Sequence, residues 1–181
     1  MEQIARKIEA EHRNMARVLK SLEEIAERAQ SAPKSDDVDR LFDICHYVRV
    51  FPDAIHHPKE DRYVFEPLRT EAPEHHELLD KVQGQHRACN DHTERLYLTV
   101  QAYADKGATA TTLQEVVQDY LRFQYEHMRL EEREVLPLAE KFLDKETLAG
   151  AGRAFASHGD PLFGENLETG FKALYDRIVG H

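Results

Sequence analysis

The sequence HHPKE at residues 56–60 and the sequence HMRLE at residues 127–131 each place a histidine four residues before a glutamate. Residues four apart lie on the same face of an α-helix, so each pair directs an imidazole and a carboxylate to one side. The two stretches fall on segments that we expect to be antiparallel helices. Their repetition predicts a helical bundle with a polar cluster inside it.

Helical periodicity extends over almost the whole chain. Between Ile4 and Ile25, apolar residues return every three or four positions with charged residues between them, as a core-facing helix requires. Proline, glycine and capping residues separate the periodic segments. They predict four long helices, over about 2–30, about 35–65 with bends at Pro52 and Pro58, about 74–105, and from about 110 past Pro137. They also predict shorter helices over 144–157 and 166–179, with a turn at 160–164.

These segments predict an all-α fold. Four long helices joined by short loops pack most simply as an up-down-up-down four-helix bundle. Residues 1–142 would form this bundle, and residues 143–181 would add two C-terminal helices packed on the same domain. The length of 181 residues is enough for one well-packed core and does not require a second domain.

Composition excludes several classes of partner. There are 34 acidic residues against 24 basic ones, and no Lys and Arg cluster that could follow a phosphate backbone, so nucleic acid is not expected to bind. No apolar run approaches the roughly 20 residues that span a bilayer, and the first residues lack the apolar core of a signal peptide. We therefore expect a cytoplasmic protein with no membrane contact. Cys45 and Cys89 stand alone in the sequence and are expected to be buried thiols.

Counting residues from the turns predicts that the polar residues share one level of the bundle. If one turn is centred near residue 71 and the next near Gly107, both His-Glu pairs lie about as far from those turns as His86 does, at roughly 1.5 Å per residue. His12 comes within about one helical turn of the same level. Four helices therefore bring six candidate ligands together, namely His12, His56, Glu60, His86, His127 and Glu131.

This set of donors indicates a dinuclear metal site. Imidazole and carboxylate together suit iron, manganese or zinc, and a carboxylate can bridge two cations. A tetrahedral zinc takes about four ligands, so six converging donors are too many for it. The ferritin-like dimetal site needs two Glu-x-x-His motifs, whereas only Glu9 and His12 have that spacing here.

The sequence leaves one exchange of ligands open at the first pair. His57 and Asp61 have the same spacing as His56 and Glu60, and they would replace them if a bend at Pro58 rotates the helix. The spacing alone does not decide between the two pairs.

Other acidic, histidine and tyrosine residues are secondary candidates. Glu132 could exchange with Glu131, although the spacing from His127 favours Glu131. His76 and Asp80 have the His-Glu type of spacing but lie roughly 12 Å from the predicted level. Tyr63, one turn from Glu60, is the tyrosine that merits a test. The histidines expected to be exposed are His75, His76, His92, His158 and His181.

With these residues the sequence resembles the hemerythrin-like, or HHE cation-binding, proteins over about residues 1–142. The most specific parts are HHPKED at residues 56–61 and HMRLEE at residues 127–132. The resemblance implies two iron ions in a non-haem di-iron centre with an oxo or hydroxo bridge. By this resemblance the terminal ligands would be His12, His56, His86 and His127, and the bridging ligands would be Glu60 and Glu131.

One position departs from the oxygen-carrying members of that family. They place a fifth histidine four residues after the one that matches His86, and here that position is Asn90. The sequence looks instead like the four-His, two-Glu branch, which includes proteins linked to nitric oxide and to repair of damaged iron centres. Four histidines, two bridging glutamates and an oxo bridge would leave one open place on each of two octahedral irons. Such a centre favours reaction with a small diatomic or peroxide ligand.

Three functional hypotheses follow from the sequence. The first is a di-iron protein that binds or reacts with oxygen, peroxide or nitric oxide in stress response or sensing. The second is an iron storage or donation protein that acts in repair of damaged iron centres. The third is a metal-stabilised sensor module that contacts a protein partner or a second copy through the helices after Asp144. No nucleophile with an activating base is evident, so at most a weak peroxide- or nitric-oxide-reducing activity is expected.

Overall fold

The structure is a computed structural model that describes residues 3–157, 159–163 and 169–179. These residues form helices and turns and contain no β-strand. None of the described helices is both long and apolar enough to cross a bilayer. The α-helices are α1 (Gln3–Arg28), α2 (Asp37–Val48), α3 (His57–Glu60), α4 (Glu66–Glu71), α5 (His76–Ala104), α6 (Ala110–Leu130), α7 (Leu136–Phe142), α8 (Lys145–Ser157) and α9 (Thr169–Ile178). Several of them are joined by the π-helical segments π1 (Arg49–His56), π2 (Asp61–Phe65) and π3 (Glu131–Val135), and a 3-10 turn (Pro73–His75) precedes α5.

The helices build the predicted four-helix bundle. Its first column is α1, its second runs from α2 through π1, α3 and π2 to α4, its third is α5, and its fourth runs from α6 through π3 to α7. α1 packs against α2 and α6, and α5 packs against the same two helices. Short connections make successive columns antiparallel, as in an up-down-up-down bundle. The predicted fold class is therefore confirmed. The second and fourth columns, which carry the two His-Glu pairs, are therefore parallel, and the expectation that these segments are antiparallel is wrong.

The second column bends by widening its turns. His57 N–H donates to Pro52 O and Glu66 N–H donates to Asp61 O, in each case to a carbonyl five residues earlier. A proline ring clashes with the carbonyl four residues before it, and a π-helical turn relieves that clash because its hydrogen bonds reach one residue further. The bend predicted at Pro52 is thus a stretch of π-helix.

The fourth column repeats this pattern. Thr109 caps α6, because its side-chain oxygen accepts a hydrogen bond from Thr112 N–H. At the other end, Leu136 N–H donates to Glu131 O across π3, and Pro137 follows at the start of α7. Each His-Glu pair therefore leads directly into a π-helical turn, a feature that occurs frequently at functional sites.

The apolar core consists of two clusters separated by a polar layer. On α1, Ile8 belongs to one cluster and Met15 to the other, and His12 lies between them. The same change of cluster occurs on α5 around His86. Apolar packing above and below therefore encloses the level that carries the candidate ligands, while both thiols, Cys45 and Cys89, are buried as predicted.

The two C-terminal helices pack on the bundle. α8 lies along α1 and contacts π2 and α3, while α9 packs against α2. Lys7 Nζ donates to Gly152 O of α8 at 2.6 Å. Asp160 follows α8, and its Oδ2 atom accepts a hydrogen bond of 2.8 Å from the Tyr47 hydroxyl of α2. These contacts tie the C-terminal segment to the first and second columns.

The observed helix limits lie close to the predicted ones. α1 lies within the predicted range 2–30, and α8 begins at Lys145, one residue later than predicted. The predicted start of the last helix at Asn166 and the end of the predicted turn at Gly164 lie outside the described residues. The division of the chain at residue 142 stays a prediction.

Candidate metal centre

The six predicted ligands converge inside the bundle, although they come from all four columns. Each of the six side chains is at most 6% exposed. The structure thus brings together, at one level, the residues that loop counting predicted to share it. These residues are His12 on α1, His56 and Glu60 in the second column, His86 on α5, and His127 and Glu131 in the fourth column.

One group of donors surrounds a first potential cation position. His12 Nε2 lies 3.2 Å from His56 Nε2 and 3.3 Å from Glu131 Oε2. His56 Nε2 lies 3.2 Å from Glu60 Oε1. One donor atom from each of these four residues lies within 4.8 Å of the others. The two imidazoles and two carboxylates could therefore bind one cation.

A second group uses the same two carboxylates. His86 Nε2 lies 3.1 Å from Glu131 Oε1 and 3.5 Å from Glu60 Oε2. His127 Nε2 lies 3.5 Å from Glu131 Oε2. Because Glu60 and Glu131 belong to both groups, two neighbouring cations could each take two histidines and share both glutamates.

Each of the four histidines presents its other ring nitrogen to an acceptor outside the cluster. The acceptor fixes the orientation of the ring, as it does for histidines that bind metals. The Nδ1 pairs are His12 with Glu132 at 3.0 Å, His56 with Glu11 at 2.7 Å, His86 with Asp61 at 3.0 Å, and His127 with Gln85 at 3.3 Å.

Unpaired polar atoms indicate that the cluster fits a metal. Glu60 Oε2, Glu131 Oε2 and His127 Nε2 are buried and have no hydrogen-bond partner. A buried polar atom without a partner costs roughly 1–3 kcal/mol, so such atoms are rare in folded proteins. The nearby Nε2 atoms of His12 and His56 can share only one proton between them. Coordination of cations would satisfy these atoms.

Protons occupy part of the cluster when no metal is bound. Burial acts to lower the pKa of His12, but hydrogen bonds with Glu131 and Glu132 outweigh it and raise that pKa to about 10. Burial likewise opposes protonation of His56 and His86, whose pKa values nearby carboxylates nevertheless raise to about 9. In the metal-free protein His86 therefore carries positive charge at neutral pH, as does one of His12 and His56, whose facing Nε2 atoms hold a single proton.

The pKa values of the other three candidate ligands shift in different directions. Burial lowers the pKa of His127 to about 4, so its imidazole is neutral. Burial also raises the pKa of Glu60, with the charge of Glu131 adding to that shift. For Glu131 burial is outweighed by His127, His12 and His86, which hold its pKa well below the usual range. Glu131 is thus the fixed negative charge at the middle of the cluster.

A residue of α8 closes the outer side of the first group. The Phe155 ring meets the His56 ring edge-on, with the centroids 6.0 Å apart and an interplanar angle of 89°. Phe155 is 2% exposed, and Lys59 Nζ lies 5.1 Å from the centre of its ring. The C-terminal extension therefore covers the candidate centre, a role that the sequence did not indicate.

Cavities approach the cluster from two directions. One of about 280 Å³ is lined by His12 and by the basic residues Arg13, Arg129 and Arg133. Another of about 570 Å³ is lined by Asp53 and Asn90 among others. Asn90 is an exposed residue of that outer cavity, so it does not take the place of a fifth histidine in the cluster.

The geometry distinguishes the two predicted glutamate ligands from the carboxylates that follow them in the sequence. Asp61 is 30% exposed and contacts the outer nitrogen of His86, whereas Glu60 is buried among the donors. Glu132 is 40% exposed and contacts the outer nitrogen of His12, whereas Glu131 lies between the two groups. The arrangement favours Glu60 and Glu131 as ligands. Asp61 and Glu132 each follow a predicted ligand glutamate directly, and this adjacency is a signal that sequence reasoning missed.

The other histidines lie away from the cluster. His76 is exposed as predicted, and its Nε2 lies 2.9 Å from Arg69 O. The prediction of full exposure is wrong for His75 and His92, which are half-buried. The reason is aromatic packing, because His75 packs edge-on against the ring of Phe142, and His92 stacks on another aromatic ring at a centroid distance of 4.0 Å.

The predictions for the remaining residues have mixed outcomes. His158 and His181 lie outside the described residues. Tyr63 is half-buried and packs against the apolar cluster around Phe65. The guanidinium of Arg62 lies over the Tyr63 ring, 5.4 Å from its centre. The described interactions of Tyr63 include no contact with a candidate ligand.

Comparison with known proteins identifies the family. The model of the hemerythrin HHE cation binding domain matches residues 3–139, which is most of the chain. The match contains all six predicted ligands and ends within α7, before α8 begins. Searches of curated proteins and of solved structures gave no match. The chain therefore belongs to the hemerythrin HHE cation-binding domain family.

Proposed function

We propose that this protein holds two non-haem iron ions and uses them to bind or react with a small oxidant, such as oxygen, peroxide or nitric oxide, in stress response or sensing. The observation that carries the proposal is the pair of four-donor groups that share Glu60 and Glu131. Two shared carboxylates balance much of the charge of two neighbouring cations and keep them close together. Bound iron would supply one-electron redox chemistry and coordination places for the oxidant.

The residues of the chain have separate tasks in this proposal. His12 and His56 would hold one ion, His86 and His127 the other, and the two glutamates would bridge them. The outer acceptors keep each imidazole turned toward its ion. The apolar clusters on both sides and the ring of Phe155 exclude bulk water, which protects a reactive centre from side reactions.

The degree of enclosure favours a reactive centre over an iron donor. The ligands of both groups are buried, and α8 covers His56. Transfer of iron to an acceptor protein would require the bundle to open, whereas a small oxidant needs only a narrow path. The cavity of about 280 Å³ beside His12 reaches one ligand of the first group from outside.

Anaerobic loading with ferrous iron tests the proposed function. We expect two irons per chain, followed by a change in the optical spectrum when oxygen, peroxide or nitric oxide is admitted separately. The His86→Ala variant should bind at least one iron fewer, because His86 contacts both carboxylates, whereas the matched His76→Ala variant alters an exposed residue and should bind two. One iron per chain, or a spectrum that no oxidant changes, would contradict the proposal. Iron that passes readily to a metal-free acceptor protein would support the donor hypothesis instead.

Metal binding is expected to release protons. At about pH 7.5 the metal-free protein carries one proton between the Nε2 atoms of His12 and His56 and one on Nε2 of His86, because nearby carboxylates raise the pKa values of these histidines to about 10, 9 and 9. A coordinated imidazole nitrogen must lose its proton, so about two protons should leave per chain and the affinity should rise with pH. Calorimetric titration in two buffers of different ionisation enthalpy measures this number.

The matched control for proton release is His76→Ala, which alters an exposed histidine away from the cluster and should release the same number of protons as the wild type. Equal heats in the two buffers would show that no proton leaves and would refute the charge state assigned to the metal-free cluster. Manganese is a suitable second metal for this titration, because it accepts the same donors and oxidises less readily in air than ferrous iron.

A further inference from the structure

His57 is buried beside the cluster, although a regular helix would turn it away from His56. Successive residues of an α-helix are about 100° apart, so the sequence made the two histidines alternatives. In the structure His56 is 0% exposed and His57 is 4% exposed. π1 ends at His56, and a π-helical turn changes the angle between successive side chains. Both imidazoles therefore point into the bundle.

The ring of His57 lies against the histidines of the second group. It stacks on His86 with the centroids 4.4 Å apart and an interplanar angle of 17°. It meets His127 edge-on at 5.2 Å. One nitrogen from each of the three residues lies within 4.8 Å of the other two. Three imidazole donors thus surround one position at the second group.

His57 also has an outer carboxylate of the kind that accompanies the other four histidines. Its Nδ1 lies 3.7 Å from Asp53 Oδ1. In each of the other four histidines the same atom faces a carboxylate or amide oxygen outside the cluster. A carboxylate behind an imidazole orients the ring and strengthens it as a metal ligand. Asp53 therefore lies on the side of His57 where the predicted ligands have their acceptors, although at 3.7 Å the two atoms are not hydrogen-bonded.

The polar atoms around His57 lack partners in the metal-free protein. His57 Nδ1 and both carboxylate oxygens of Asp53 are buried without a hydrogen bond. Packing alone gives no reason to bury these atoms, since an apolar residue would fill the space without an unpaired polar group.

We propose that His57 is a fifth histidine ligand of the centre, and that it binds the same cation as His86 and His127. The inference rests on the proposed function, because it requires that the cluster binds two cations. His57, in the second column, would thus provide the fifth histidine that is absent from the third column, where Asn90 stands. The two cations then differ, since one has three histidines and the other has two.

This asymmetry changes where a small molecule would bind. With His57 in place, the cation held by His86 and His127 has one coordination place fewer for an external ligand. The cation held by His12 and His56 keeps its open place, and the cavity lined by His12 and three arginines lies on that side. The oxidant would therefore meet the two-histidine cation.

The His57→Ala variant, loaded anaerobically with ferrous iron, tests the inference. We expect competition with a chromophoric chelator to show about a tenfold or larger loss of affinity for the more weakly bound iron. Added imidazole should restore that affinity, because it can occupy the emptied place, and should leave the wild-type protein unchanged. The His57→Phe variant keeps a ring in the same space but offers no donor, so it should bind iron as weakly as His57→Ala.

His76→Ala provides the matched control, because it removes an exposed histidine. It should bind both irons as tightly as the wild type, with and without imidazole. Thermal unfolding of the metal-free proteins shows whether each variant folds, and His57→Phe carries the test if His57→Ala does not. If His57→Phe binds iron with wild-type affinity, His57 has only a packing role. That result would overturn this inference but not the proposed function. A wild-type protein that binds fewer than two irons would overturn the proposed function as well.

Discussion

Replacing Glu131 with glutamine is expected to lower the affinity for the metal pair by more than about 100-fold. This loss exceeds the roughly 10–100-fold fall in metal affinity that typically follows substitution of a residue hydrogen-bonded to a metal ligand. Glu131 belongs to both groups of donors, so one substitution affects both cations. An amide keeps the size of the side chain but loses the negative charge. Competition with a chelator and direct metal analysis measure the loss.

Glu131→Gln also changes the metal-free protein. Glu131 contacts His12 and His86 and contributes to their raised pKa values. Without its charge, these buried imidazoles should lose protons at a lower pH. Removing one partner of a buried ion pair costs about 3–5 kcal/mol when the other remains charged, so deprotonation would limit the loss of stability.

The matched control for Glu131→Gln is Glu132→Gln. Glu132 is adjacent in sequence and also contacts His12, but through the outer nitrogen and at 40% exposure. We expect a loss of affinity of about tenfold and two bound metal ions. Equal effects of the two substitutions, or a larger effect at Glu132, would reverse the roles of these glutamates.

Replacing Phe155 with alanine is expected to lower the free energy of unfolding by about 3–5 kcal/mol. Its ring is 2% exposed and packs against His56 and Lys59. The cavity left behind would also admit water to the first group of ligands. Chemical denaturation of the metal-free protein measures the stability, and a fall of the melting temperature by about 10 °C should accompany it.

Two further variants separate the causes of this effect. Leu98→Ala alters a side chain that is 52% exposed, and it should change the stability by at most about 0.5 kcal/mol. Phe155→Leu keeps an apolar side chain over His56 and should recover most of the loss. Wild-type stability of Phe155→Ala would contradict the closure of the centre by α8.

The general fold could be predicted because its signal is local. The return of apolar residues between Ile4 and Ile25 is sufficient to define a helix face. Loop counting found the level of His12 and His86 because the rise per residue of a helix is nearly constant. The widened turns of the second and fourth columns are short and did not displace the other ligands from that level.

The rest of the site depends on geometry that spacing does not contain. Spacing left His56 and His57 as alternatives, because it does not show that π1 ends at His56 and that His57 begins α3. The outer partner Asp53 is recognisable only once that turn is known. The contact between Phe155 and His56 joins residues far apart in sequence, and no periodic pattern predicts such a pair.

The position of α8 after the bundle in the sequence sets an order for assembly during synthesis. All six predicted ligands are translated before Phe155, and N-terminal segments generally fold first as a chain emerges. The nascent bundle would therefore present an open centre that the completed protein encloses. Iron would be acquired most readily in this interval, whereas a chain completed without metal would have to lift α8 before it could load.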